Sequence, residues 1–161
     1  MSGQLTYDIL GYHSTEVRVP FGYIDSYGYL WHGHALNFFE IARADMVRPF
    51  GLSAKNLLEQ DLATPILDVQ IKYFNPAYDD EVLHIITTLK KPSLPLPHLH
   101  FDYQIVSRSK NTVILRGETK QVLVKASTLK ILIHVPGPIR QRLNALWDYL
   151  ATDEKAAYNP C

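Results

Sequence analysis

The chain has 161 residues, 47% of them hydrophobic, with 16 basic and 16 acidic side chains. That length and apolar share suit one domain with its own core and exclude extended disorder, and the balanced charge argues against nucleic acid or an anionic membrane as main partner. Cys161 is the only cysteine, so no intramolecular disulfide can form, as suits a reducing cytoplasm.

The start, MSGQLTYDIL, lacks the basic and long apolar stretches of a signal peptide, and no segment approaches the roughly 18–20 apolar residues of a membrane span. A cytoplasmic location is expected. Residues 14–24 alternate Val17, Val19 and Phe21 with Arg18, Pro20 and Gly22. This period of two predicts a strand with one buried face, and Pro20 assigns it to an edge. Residues 25–33 form a loop in which Asp25 stands among aromatic side chains just before a helix. An acid in such surroundings is disfavoured unless its charge is used or neutralised.

From Ala35 the apolar positions Phe38, Phe39, Ala42 and Met46 recur at helical spacing, and Pro49 and Gly51 mark the end. Leu36, Ile41 and Val47 widen the apolar surface, which predicts a helix buried on more than one side. Ser53 is placed to cap a second short helix over 54–60. Strands are predicted over 64–75, 81–91, 98–108 and 112–126, the last with a bend or bulge at Gly117. LKILIHV adds a short last strand, and Pro138 opens a final helix, IRQRLNALWDYL, before a loose tail after Ala151. The class is α+β: one long helix set in an antiparallel sheet of five to six strands. The helix's wide apolar surface implies that the sheet wraps around it.

Residues 17–51, VRVPFGYIDSYGYLWHGHALNFFEIARADMVRPFG, resemble the first strand, active loop and central helix of hot-dog-fold acyl-CoA thioesterases of the 4-hydroxybenzoyl-CoA thioesterase type. Asp25 after the strand, Gly28 three residues on, the Trp31-His32 pair, and Glu40 and Arg43 on the helix carry the likeness. YFNPAYDDEV at 73–82 resembles the family's Tyr-x-x-Pro-Ala-x-x-Asp segment, and VLVKA with a Pro-led terminal helix fits its end. The likeness covers about residues 12–148 of one domain spanning 1–161. His34-Ala35 stand where the family usually has Asn-Tyr, and the PSLPLPH loop is longer than usual. Both departures lie where an acyl group or pantetheine arm would pass.

The resemblance implies thioester hydrolysis to a carboxylate and free CoA, with no metal or bound cofactor. Asp25 is the implied nucleophile or general base, and the backbone amides of His32 and Gly33 are the implied donors to the carbonyl oxygen. Gly33 would let the thioester approach closely. Tyr27, Gly28, Trp31, His34 and Glu40 are assigned to substrate binding. The family's assembly implies a homodimer or homotetramer. On the residues alone, Asp25 ahead of Ser26 and Gly28 reads more simply as a turn cap. Glu40 is a rival carboxylate, but an ion pair with Arg43 at i+3 is the plainer reading. His32 and His34, like His98 and His100, have the spacing of a zinc pair, yet no further ligand pattern completes a site. Lys90, Lys91, Arg108 and Lys110 flank loops and are candidates to meet CoA phosphates, though exposed basic side chains usually do nothing specific. The rival functions are a non-catalytic acyl-CoA or acyl-carrier-protein binding module on the same fold, and a hydratase, for which no acid/base pair is evident.

Overall fold

A computed structural model describes residues 5–152. Its elements, in chain order, are β1 (Tyr7–Asp8), β2 (His13–Arg18), α1 (Ala35–Val47), α2 (Ala54–Leu58), β3 (Leu62–Ala63), β4 (Ile66–Tyr73), β5 (Val82–Leu89), β6 (Lys91–Pro92), β7 (His98–Ser107), β8 (Thr112–Val122), β9 (Val124–Lys125) and α3 (Gly137–Leu150). Five strands form one antiparallel sheet in the order β2-β5-β7-β8-β4. Two short pairs, β1 with β6 and β3 with β9, stand apart from it.

The period of two explains the sheet. On β7, Leu99, Phe101, Tyr103 and Ile105 are buried, while His98, His100, Asp102 and Gln104 face the other way. The buried side chains close over α1, whose Phe38, Phe39, Ala42 and Met46 are each 1% exposed or less. The α+β fold with a curved sheet around one long helix is therefore as the sequence predicts.

The helix and sheet pack tightly at Gly117. Its Cβ, if it had one, would stand 2.6 Å from the Phe39 ring. The bulge expected there is absent: Gly117 pairs in register with Tyr103 and Ile71, and the irregularities fall between Ile66 and Asp68 and between Ile105 and Val106. Glycine is needed here to admit an aromatic ring.

Other boundaries move for local reasons. The first strand stops at Arg18, because Pro20 opens a 3₁₀ turn over Phe21–Tyr23. Ser53 accepts a hydrogen bond from the Asn56 amide, as an N-cap should, but the helix ends at Leu58. LKILIHV forms no strand; Ile131 makes a single bridge to Val124. On α1, Leu36 and Ile41 are 43% and 45% exposed, so in the single chain the helix is buried on one side only. The expected loose tail lies almost entirely outside the described residues.

Candidate active site

The loop between the edge strand and α1 is built by hydrogen bonds to its own acid. Asp25 Oδ1 accepts from the amides of Tyr27, at 2.9 Å, and Tyr29, at 3.2 Å. The Asp25 amide donates to the Tyr29 carbonyl at 2.8 Å, and the Gly28 amide to the Asp25 carbonyl at 3.0 Å. Gly28 sits at φ +82°, a conformation that glycine adopts without strain. Asp25 thus does cap a turn, but with one oxygen. Among the described residues Oδ2 has no hydrogen-bonding partner.

Two further bonds fix the loop against the body of the protein. The Trp31 amide donates to the Tyr23 carbonyl and the Leu30 amide to the Ala77 carbonyl, both at 2.8 Å. The segment carrying Ala77 is itself pinned by Glu81, whose carboxylate accepts from the Tyr78 amide, Ser107 Oγ and Lys110 Nζ. Burial pushes the Glu81 pKa up, but these donors outweigh it and the net shift is downward. Glu81 therefore holds a charge that positions the far wall of the site.

Behind the loop the chain enters α1 through a 3₁₀ turn, His32–His34, with no side-chain cap. The amides of His32 and Gly33 donate to no group among the described residues, as expected of the first donors of a helical segment. Asp25, Trp31, His32 and Ala35 share one open cleft of about 320 Å³ with Tyr73, Asn75 and Ala77. Tyr73 Oη donates to the His32 carbonyl at 2.8 Å, which ties the end of β4 to the peptide at the helix entrance. Burial raises the Tyr73 pKa, so it remains a neutral donor.

The remaining predicted residues fall elsewhere. Gly33 does not line the cleft. Trp31's ring occupies the side where a Gly33 Cβ would stand, so the close approach this glycine allows is to Trp31. Tyr27 is 82% exposed and does not line the cleft. His34 stacks on Tyr23 with ring centroids 3.8 Å apart, and its Nδ1 meets Asn37 at 2.9 Å. Glu40 pairs with Arg43 and borders a different cavity. Tyr73 joins the site although no role is assigned to it from the sequence; its place at the head of the Tyr-x-x-Pro-Ala segment is the signal that points to it.

A metal-like grouping exists on the opposite face of the sheet, where His100, Asp102 and Glu118 bring ligand atoms within 4.8 Å of one another. His98 does not join it. Lys90 Nζ stands 3.1 Å from Asp102 and 3.8 Å from Glu118, so an ammonium already supplies the positive charge that a cation would bring.

A carboxylate with one anchored and one open oxygen, beside unpaired amides at a helix start, is an arrangement suited to acyl transfer. Residues 19–143 match the family model of the Thioesterase-like superfamily. The chain belongs to that superfamily. The match includes the whole loop, α1, the five-stranded sheet except its first strand β2, and every residue of the cleft. Acyl-CoA thioester hydrolase YbgC of Escherichia coli is 29% identical over 114 residues, 71% of this chain and 83% of that protein. A 1,4-dihydroxy-2-naphthoyl-CoA thioesterase from Synechocystis superposes with a TM-score of 0.73 at 21% identity, covering 83% of this chain and 96% of the other. A Staphylococcus aureus protein solved in complex with CoA reaches 0.77 at 13% identity, covering 96% and 97%. These neighbours establish the hot-dog fold for this superfamily member. Among its described residues no helix is long and apolar enough to cross a membrane.

Proposed function

We propose that the protein is an acyl-CoA thioesterase, releasing a carboxylate and free CoA, with Asp25 as its reacting carboxylate. The observation that carries this reading is the shared cleft: Asp25 and His32 line it together, at a helix entrance whose first two amides are unpaired. A thioester carbonyl oxygen in the cleft, directed at the His32 amide, would meet a donor already oriented, where negative charge develops. Asp25 Oδ2 then attacks the carbonyl carbon, expelling the CoA thiolate and forming a mixed anhydride that water hydrolyses. Alternatively it takes a proton from the attacking water and returns it to the departing sulfur. Both routes consume one water and give the same products.

The relatives' names support acyl-CoA as substrate class, and the Asp25 loop argues against a module that only binds. The decisive assay presents a panel of acyl-CoAs with a thiol reagent. Release of free thiol is expected with at least one of them; tight binding of all without turnover would replace this reading with the binding module.

The reading extends to assembly. Among the described residues β2 and β4 are the unpaired edges of the sheet; on β4, Ile66 and Leu67 are 43% and 59% exposed, and Leu36 and Ile41 on α1 are also partly exposed. Exposed aliphatics on an edge strand, with others on the outer side of α1, are suited to a second copy. A homodimer or homotetramer is expected by light scattering, and a monomer at micromolar concentration would refute it.

A further inference from the structure

A second cavity lies between α1, α3 and the inner face of the sheet, with a volume of about 150 Å³. It shares no residue with the Asp25 cleft. Leu115 lines the cleft and Gln121 the cavity, six residues apart on β8 and therefore about 20 Å along the strand. Its walls include Leu99, Phe101, Leu123, Leu143 and Leu146. Charge is confined to Glu40, Arg43 and Arg48; the Glu40 side chain is 63% exposed and marks the rim, whereas Arg43 is 14% exposed, its guanidinium 5.8 Å from the Phe101 ring centroid, and its charge is already paired with Glu40.

One wall residue does not belong to an apolar core. Gln121 is 2% exposed, and its side-chain amide makes no hydrogen bond among the described residues. A fully buried amide without a partner costs about 1–3 kcal/mol; the Gln121 amide keeps a little accessible surface, so unlike Thr87 Oγ1 and Gln104 Nε2 it is not cut off from an occupant of the cavity. Gln121 sits on the inward face of β8, between Thr119 and Leu123, where a leucine would fill the space without that cost. An engineered apolar cavity of about 150 Å³ takes benzene. Here the same volume is joined to one unpaired amide, in a wall that includes an aromatic ring.

We infer that this cavity is a second ligand site, for an uncharged, ring-sized apolar molecule bearing one hydroxyl group, which hydrogen-bonds Gln121. The molecule is distinct from the thioester reacting at the same chain's Asp25, because the two linings share no residue, although on α1 Ala35 of the cleft and Glu40 of the cavity are only five residues, about 7.5 Å, apart. Its recognition uses burial of the ring against leucines and Phe101, with the amide fixing orientation.

The test uses phenol and toluene, which have nearly the same shape, titrated into the whole protein and followed through backbone amide resonances. The readout is the ratio of the two affinities, in which the cost of removing each ligand from water cancels between protein variants. Both ligands are expected to shift resonances of cavity residues such as Leu99, Leu123 and Leu143. Gln121→Leu, nearly isosteric, should lower the phenol-to-toluene affinity ratio at least about fivefold, because the hydroxyl is then buried without a partner. Leu143→Phe should weaken both ligands by filling the space. An unchanged ratio in Gln121→Leu overturns the assignment of the amide. Absence of shifts at cavity residues with either ligand overturns the site. Turnover of a thioester plays no part in the readout, so the result stands apart from the catalytic reading.

Discussion

Replacing Asp25 separates its two roles, because the two oxygens of its carboxylate have different neighbours. In Asp25→Asn the side-chain carbonyl oxygen still accepts from the Tyr27 and Tyr29 amides, while the open position becomes an NH₂ group. The loop keeps both of its bonds and loses only the group that could attack or take a proton. In Asp25→Ala both bonds vanish. At about 0.5–1.5 kcal/mol each, that is about 1–3 kcal/mol of stability, or a fall in Tm of about 2–12 °C for a domain of this size. The expectation is therefore asymmetric. Asp25→Asn should hold its Tm within a degree or two of the parent and lose about 10²–10⁴-fold in kcat with KM nearly unchanged. Asp25→Ala should lose both activity and stability. The assays are steady-state thiol release from a good acyl-CoA and thermal unfolding by circular dichroism. If Asp25→Asn keeps most of its activity while Asp25→Ala loses it in step with its Tm, Asp25 is a turn cap and the chemistry lies elsewhere.

Glu40 borders the second cavity and pairs with Arg43, so Glu40→Gln should reduce kcat far less than Asp25→Asn; a dead Glu40→Gln beside an active Asp25→Asn would transfer the chemistry to the helix acid. Treatment with EDTA should leave the hydrolysis rate unchanged, and a full loss restored by zinc would refute carboxylate-and-amide chemistry. Asp45 Oδ2 accepts from His13 Nε2 at 2.8 Å and Thr15 Oγ1 at 2.7 Å, and the His13 bond is the main cause holding its pKa below the ordinary 3.8. A depressed folded-state pKa contributes stability that is present above 3.8 and is lost as pH falls through the folded value; Asp45→Asn should flatten that part of the acid limb of a denaturation curve. Gly117→Ala forces a methyl against the Phe39 ring and should cost about 1–3 kcal/mol, with Phe39→Leu recovering part of the loss in the double variant; strict additivity of the two changes would refute the contact.

Periodicity made the main body of this fold readable. The 3-and-4 spacing from Ala35 to Met46 and the alternation along 98–107 are local patterns, and each gives its element directly. Asp25 was legible because an acid among aromatics, next to Gly28, needs a reason. What escaped were contacts between segments far apart in sequence. Tyr73 and His32 lie 41 residues apart, and no local pattern reports that a strand end will reach a helix entrance. β1 and β6 are two residues each, too short for any period to register. Gly117 drew attention as a glycine in a strand, but the ring that requires it belongs to α1. Gln121 reads as an ordinary polar strand residue, and only the register of β8 turns it inward. In each case the deciding information is the pairing of distant elements.

The ring of Trp31, folded back over Gly33, gives the protein a built-in optical probe. The chain has two tryptophans. Trp147 is 8% exposed and donates its indole N–H to the Leu89 carbonyl, so its emission belongs at short wavelength and reports on the core. Trp31 is 45% exposed, within about 5 Å of the rings of His32 and His34, so its emission is expected at longer wavelength, reporting on the helix entrance. The two colours let occupation of the cleft and unfolding of the domain be followed separately, in one unlabelled sample.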